Sequence, residues 1–106
     1  MRLAVVSSDG KNVDLHLGRG KSIYVYDYDD ELNFVEMRSV EISEDSKHQG
    51  SKVLKACEDC DVLICVQYGF KSKVKADEQG IKLVMDEGPV DEVLKRYIDH
   101  YNFMKS

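Results

Sequence analysis

With 106 residues the chain has the length of a single domain, spanning 1–106, with one modest core and no room for a second. A hydrophobic share of 42% excludes a disordered chain, and a net charge of −5 with no local cluster of Lys and Arg argues against a nucleic-acid partner. No apolar run approaches the roughly 20 residues that span a bilayer, and Met1-Arg2 leads into a strand without a cleavage site, so no membrane association and a cytoplasmic location are expected.

In chain order, Leu3 to Val6 is a nearly continuous apolar run, the pattern of a central strand covered on both faces. The stretch Asp9-Gly-Lys-Asn-Val-Asp-Leu-His-Leu-Gly-Arg-Gly20 then reads as a loop leaving that strand, with a turn at Asp9-Gly10 and Arg19 set between Gly18 and Gly20. Backbone N–H groups, an imidazole and a guanidinium within so few residues suit an anion. Ile23 to Tyr28 and Leu32 to Met37, separated by Asp29-Asp30, predict a β-hairpin whose second arm has an imperfect alternation. Glu41 to Gly50 is polar and reads as a flexible surface loop. A helix beginning near Gly50 or Ser51 buries Val53, Leu54 and Cys57 and stops near Asp59, and Val62 to Val66 follows as a buried strand. Lys71 to Gln79 predicts a weakly amphipathic helix packing through Val74 and closed by Gly80, and Ile81 to Met85 predicts the last strand. The final helix runs from Pro89 to about Phe103, with Pro89 in its first turn, Asp91-Glu92 complementing its dipole, and Val90, Val93, Leu94, Tyr97, Ile98 and Tyr101 at helical period. The pattern gives an α/β layer structure with about five strands and helices on both faces of the sheet.

His16-Leu17-Gly18-Arg19, shortly after a strand ending in a Ser-Asp-Gly turn, resembles the His-Phe-Gly-Arg element of the dinitrogenase iron-molybdenum cofactor biosynthesis family. The likeness continues through Cys60 to Ile64 and Gly80 to Val84, similar to that family's fourth and fifth strands, through Gly69, and through Gly88 to Tyr97, similar to its last helix. The order and spacing of these elements together carry the resemblance. It implies a single three-layer α/β domain with a mixed five-stranded sheet in a ribonuclease H-like arrangement, and binding or carriage of an iron-sulfur or molybdenum-containing cluster. Val66-Gln67 stand where the family commonly has glycines and Leu17 where it has an aromatic residue, so a narrower pocket beside Gly69 is expected.

The candidate residues have more than one reading. His16 is either a ligand to iron or molybdenum, or a donor to cluster sulfide, or a loop histidine bonded to a neighbouring carbonyl; the resemblance favours the ligand. Arg19 complements an anionic cluster or pairs with Asp14. Gly18 and Gly69 supply backbone to the same site. Cys65, near the carboxyl end of its strand, is on the same rim and is either an auxiliary sulfur ligand or a buried core residue. His48 reads as part of a lid or as plain loop, and His100 as a surface histidine. Cys57-Glu-Asp-Cys60 falls at a helix C-terminus among acidic residues, where a thiolate is disfavoured, and lacks the further ligands of a zinc site. The pair therefore reads as structural, and with three cysteines in a reducing compartment no disulfide is expected.

The favoured function is a non-enzymatic carrier of an anionic metal-sulfur cluster, with loops Asp9–Gly20 and Gln67–Lys71 forming the cleft and a cluster donor or acceptor protein as partner. A ribonuclease H-like nuclease would need carboxylates converging at the sheet centre, and Leu3 to Ser8 carries none. A cofactor-free interaction module is the other alternative, with Tyr24, Tyr26 and Tyr28 as its surface.

Overall fold

A computed structural model describes residues 1–42 and 48–105; residues 43–47, within the polar loop expected over Glu41–Gly50, lie outside the described residues. The elements in order are β1 (Arg2–Val6), β2 (Asn12–Val13), a 3-10 turn (Leu17–Arg19), β3 (Ser22–Tyr28), β4 (Leu32–Ser39), α1 (Gln49–Ala56), β5 (Val62–Cys65), α2 (Phe70–Gln79), β6 (Lys82–Met85), β7 (Gly88–Pro89) and α3 (Val90–Lys105). Five of the strands make a mixed sheet in the order β4-β3-β1-β5-β6. The β1–β3 and β3–β4 pairs are antiparallel, whereas β1–β5 and β5–β6 are parallel. The carboxyl ends of β1, β5 and β6 therefore share one rim.

The apolar run of β1 divides by parity, as a strand covered on both faces must. Ala4 and Val6 join Val53, Leu54 and Cys57 of the α1 segment, Ala76 of α2, and Leu63 and Leu83 on one face. Leu3 and Val5 join Ile64 and the α3 residues Val90, Val93 and Leu94 on the other. Three layers result, with α1 and α2 on one side and α3 on the other.

Three local features differ from the sequence pattern. The β3–β4 register slips by one residue, so that Val25 faces Glu36 while Tyr26 faces Phe34; Val35 is the extra residue of a bulge, which accounts for the broken alternation in this arm. On α2 the wholly buried side chain is Ala76, while Val74, about 160° around the helix from it, is 39% exposed on the outer side. Pro89 precedes α3 rather than opening it, and pairs in β7 with Asn12 of β2. Two-residue strands are too short to leave a periodic signal, so this second ladder was invisible in the sequence. Gly80 ends α2 in the left-handed region at φ 77°, where a glycine C-cap costs no Cβ clash.

Candidate functional site

The loop after β1 is built by short polar side chains bonding to nearby backbone. The buried Ser7 hydroxyl donates to the Asn12 carbonyl and accepts from the Gly10 N–H at 2.9 Å. Asp9 accepts from the N–H groups of Lys11 at 2.8 Å and Asn12 at 3.0 Å, an Asx turn that holds its carboxyl below the usual range. Asp14 accepts from the Ser8 N–H at 2.9 Å and from the Ser8 hydroxyl. Its partner is thus Ser8, and among the described residues Arg19 makes no ion pair.

Beyond Asp14 the chain is laced to the loop after β5. Val66 N–H donates to the Leu15 carbonyl at 3.0 Å, and Leu17 N–H donates to the Gln67 carbonyl at 2.9 Å. Leu17 is wholly buried in the core, so its turn is fixed from below and the flanking His16, Gly18 and Arg19 are left outside, all exposed. These three, with Gln67, Tyr68 and Gly69, line an open cleft of about 530 Å³ at the carboxyl rim of β1 and β5.

The glycines of this region fall into two kinds. At Gly20 a Cβ would stand 2.6 Å from Val53, and at Gly50 it would stand 2.9 Å from the Ser72 hydroxyl; these positions are glycine so that the turn and α1 can pack closely. Gly18 and Gly69 meet nothing within 4 Å and neither has a positive φ. Neither fold nor packing requires glycine at these two positions, and both line the cleft, where a missing side chain leaves the backbone open to close approach by a ligand.

The cleft is also electropositive. Gly69 is the N-cap of α2, and the first N–H groups of a helix have no intrahelical acceptor and carry the positive end of its dipole. No acidic residue occupies the first turn of α2 and no basic residue its last, while Lys71 and Lys73 stand near its start and Asp77 and Glu78 near its end. This placement opposes the dipole at both ends and costs about 0.3–1 kcal/mol for each exposed charge at a helix end. α3 has the stabilising order, with Asp91 and Glu92 in its first turn.

Of the residues singled out in the sequence, His16, Gly18, Arg19 and Gly69 come together, and Cys65 stands apart. Its side chain is wholly buried, its thiol donates to the Gln67 carbonyl at 3.6 Å, and burial pushes its pKa up to about 12. It supports the cleft wall from beneath. Leu17 and Val66 do not narrow the cleft, because Leu17 fills the core and Val66 packs towards α3; Gln67 alone of the three lines it. Tyr68 is a lining residue that sequence reasoning did not single out, although an aromatic residue preceding a glycine in the expected cleft loop was the available signal. His48 is exposed at the N-cap of α1, and His100 is exposed on α3.

Cys57 and Cys60 are buried on the face of α1, and all three cysteines are free thiols. The Cys57 thiol is raised, by its hydrogen bond to Cys60 and by burial; Cys60 is lowered, chiefly by that same bond. Among the described residues no three His, Cys, Asp or Glu side chains converge on a point that would hold a metal ion. The carboxylates a nuclease would need are engaged elsewhere, Asp9 in its own turn and Asp61 on the Arg2 N–H at 2.7 Å at the opposite rim. No helix among the described residues is long and apolar enough to cross a membrane.

Comparison with known proteins locates the chain. The crystal structure of PH0822 superposes with a TM-score of 0.75 at 22% identity, covering 94% of this chain and 92% of that one. The crystal structure of a candidate dinitrogenase from Methanocaldococcus jannaschii gives 0.66 at 19% identity over 94% and 89% of the two chains. The solution structure of a candidate NifB protein from Thermotoga gives 0.64 at 18% identity over 92% and 87%. At these identities the likeness is one of fold. Among curated proteins, none matches the chain in sequence at a significant level. The family model described as dinitrogenase iron-molybdenum cofactor matches residues 1–100, so that nearly the whole of this α/β chain, cleft included, belongs to the dinitrogenase iron-molybdenum cofactor family.

Proposed function

We propose that the chain is a non-enzymatic carrier that holds an anionic iron-sulfur or molybdenum-containing cluster in the cleft between the β1 and β5 loops. The observation that carries this reading is the pair Gly18 and Gly69, which line the cleft beside His16 and Arg19 for no reason of packing or backbone conformation. His16 is the principal ligand, through a ring nitrogen. Backbone N–H groups at Gly18 and at the start of α2 face the cluster sulfides, and Arg19 and the α2 dipole offset its charge. Cys65 lies one layer below and keeps the Gln67 carbonyl in place. The family to which the chain belongs is associated with the iron-molybdenum cofactor, which supports cargo of this chemical kind.

One protein side chain and a rim of N–H groups make a holder, not a cage. Cargo bound by few coordinate bonds exchanges readily to a protein with more ligands, as a role in cofactor assembly or delivery requires. A second reading, a cofactor-free interaction module, is favoured by the exposed hairpin residues Phe34 and Met37 beside the half-buried Tyr24 and Tyr26. Anaerobic metal analysis with an absorption spectrum of the freshly purified protein, repeated after incubation with a cluster donor, decides between them. Bound iron or molybdenum with sulfide-to-metal absorption is expected. Protein that stays colourless and metal-free after that incubation would favour the second reading.

A further inference from the structure

Phe70 is 82% exposed, the most open of the large apolar side chains among the described residues, and it directly follows Gly69 of the cleft. A step of about 100° per residue places Phe70, Lys71 and Val74 together on the side of α2 opposite the buried Ala76, with Lys75 at one flank; Glu78 follows on the same side at the far end of the helix, and Asp77, at the other flank, is paired with Lys73, so the cationic part of this face is its end next to the cleft. Leu83 faces the α2 side of the sheet, so Met85, two residues on and 57% exposed, lies on that side at the same rim. Across the cleft stands Arg19, which makes no ion pair among the described residues. In a chain of net charge −5, this apolar patch is framed by Arg19, Lys71 and Lys75.

We propose that the outer face of α2, formed by Phe70, Lys71 and Val74 with Lys75 and Met85 at its margins, docks an acidic partner protein that gives or takes the cluster at the adjoining cleft. The inference rests on the carrier reading. Charge complementarity selects the occupant: a cationic frame attracts an acidic surface and repels a basic one, and the exposed aromatic ring supplies the anchor that a transient interface needs. Adjacency shortens the path, since Gly69 belongs to the cleft and Phe70 to the docking face. In the transfer itself the bonds from the cluster to His16 and to any small-molecule thiolates give way to bonds to acceptor cysteine thiolates. The displaced thiolates take up all but one of the protons those cysteines release, the last passes to solvent because the imidazole leaves neutral, and the cluster keeps its electrons.

The test loads the full chain anaerobically with a [4Fe–4S] cluster and follows transfer to an acidic apo-ferredoxin by circular dichroism. The second-order rate constant should fall at least about tenfold between about 0.05 M and about 0.5 M salt. It should fall about threefold or more in Lys75→Glu and in Phe70→Ala, each compared with the unsubstituted chain at equal cluster loading. Transfer insensitive to salt and to both variants, from a chain that holds its cluster, overturns the docking face and leaves the carrier reading standing. A chain that takes up no cluster removes the carrier reading and this inference with it. Self-association by sedimentation that is lost in Phe70→Ala would assign the face to a second copy instead and overturn the acidic partner.

Discussion

His16 is exposed, and the turn beside it is held by backbone bonds and by the buried Leu17, so its imidazole contributes little to the fold. His16→Ala should lose cluster binding in an anaerobic titration while the melt reports a change within about 0.5 kcal/mol. Arg19→Ala should weaken binding less, and by a margin that shrinks with added salt, because a guanidinium contributes charge and not a coordinate bond. Gly69→Val is a sharper probe of the cleft. Its backbone, at φ −94° and ψ 170°, accepts a β-branched residue, so the fold should lose no more than about 1 kcal/mol at this N-cap while the added methyl groups block the site. Retained affinity in that variant would place the cargo elsewhere. At this scale the sequence was informative about which residues gather, because spacing after a strand end dictates position on the rim. It was silent on direction. Cys65 and Leu17 are near the cleft in sequence and turned into the core in space, the first by the parity of its strand and the second by the 3-10 turn pinned to the Gln67 carbonyl.

Among the elements, α3 contributes most to its layer. Leu94 is wholly buried between the helix and the sheet, and Leu94→Ala should cost about 2–5 kcal/mol in denaturant unfolding. The lower edge of the sheet is tied by charge. Asp59, after α1, accepts from Arg38 of β4 at 2.6 and 2.8 Å and from Arg2 of β1 at 2.8 Å, and Arg2 also holds Asp27 of β3. The Arg38 bonds, with the Arg2 bond behind them, outweigh burial, which acts the other way, and leave Asp59 well below the usual carboxylate range. A carboxylate whose folded pKa lies below its unfolded value stabilises fully above the unfolded value, near 4, and that stability is lost as pH falls towards the folded one. Acidification below about pH 4 should therefore erode stability, and Asp59→Asn should be less stable at neutral pH and show a shallower acid limb. With 42% of the Asp59 side chain exposed, solvent screening keeps the effect modest. None of this network was legible in the sequence, since its members lie up to 57 positions apart and only the strand order brings them together.

For the whole molecule, the layer order followed from the sequence because each layer has a strong local pattern: continuous apolar strands, a Tyr-rich hairpin, and a last helix with six residues at helical period. The bulge at Val35 and the β2–β7 ladder did not follow, because each depends on pairing between distant backbones. On the carrier reading, the lacing between the β1 and β5 loops, through Leu17 to Gln67 and Val66 to Leu15, bears on how fast cargo is taken up and released. Two mainchain bonds across the base of the cleft resist its opening as a jaw, so on that reading capture should need no prior unfolding and release should wait on no closing motion. Amide hydrogens at Leu17 and Val66 should then exchange slowly with deuterium in the empty protein and gain little on loading, with new protection confined to Gly18 and the first turn of α2. Exchange at Leu17 and Val66 that slows severalfold only when cargo arrives would reveal a site assembled by its ligand, with dwell time governed by a conformational step instead of by the strength of one coordinate bond.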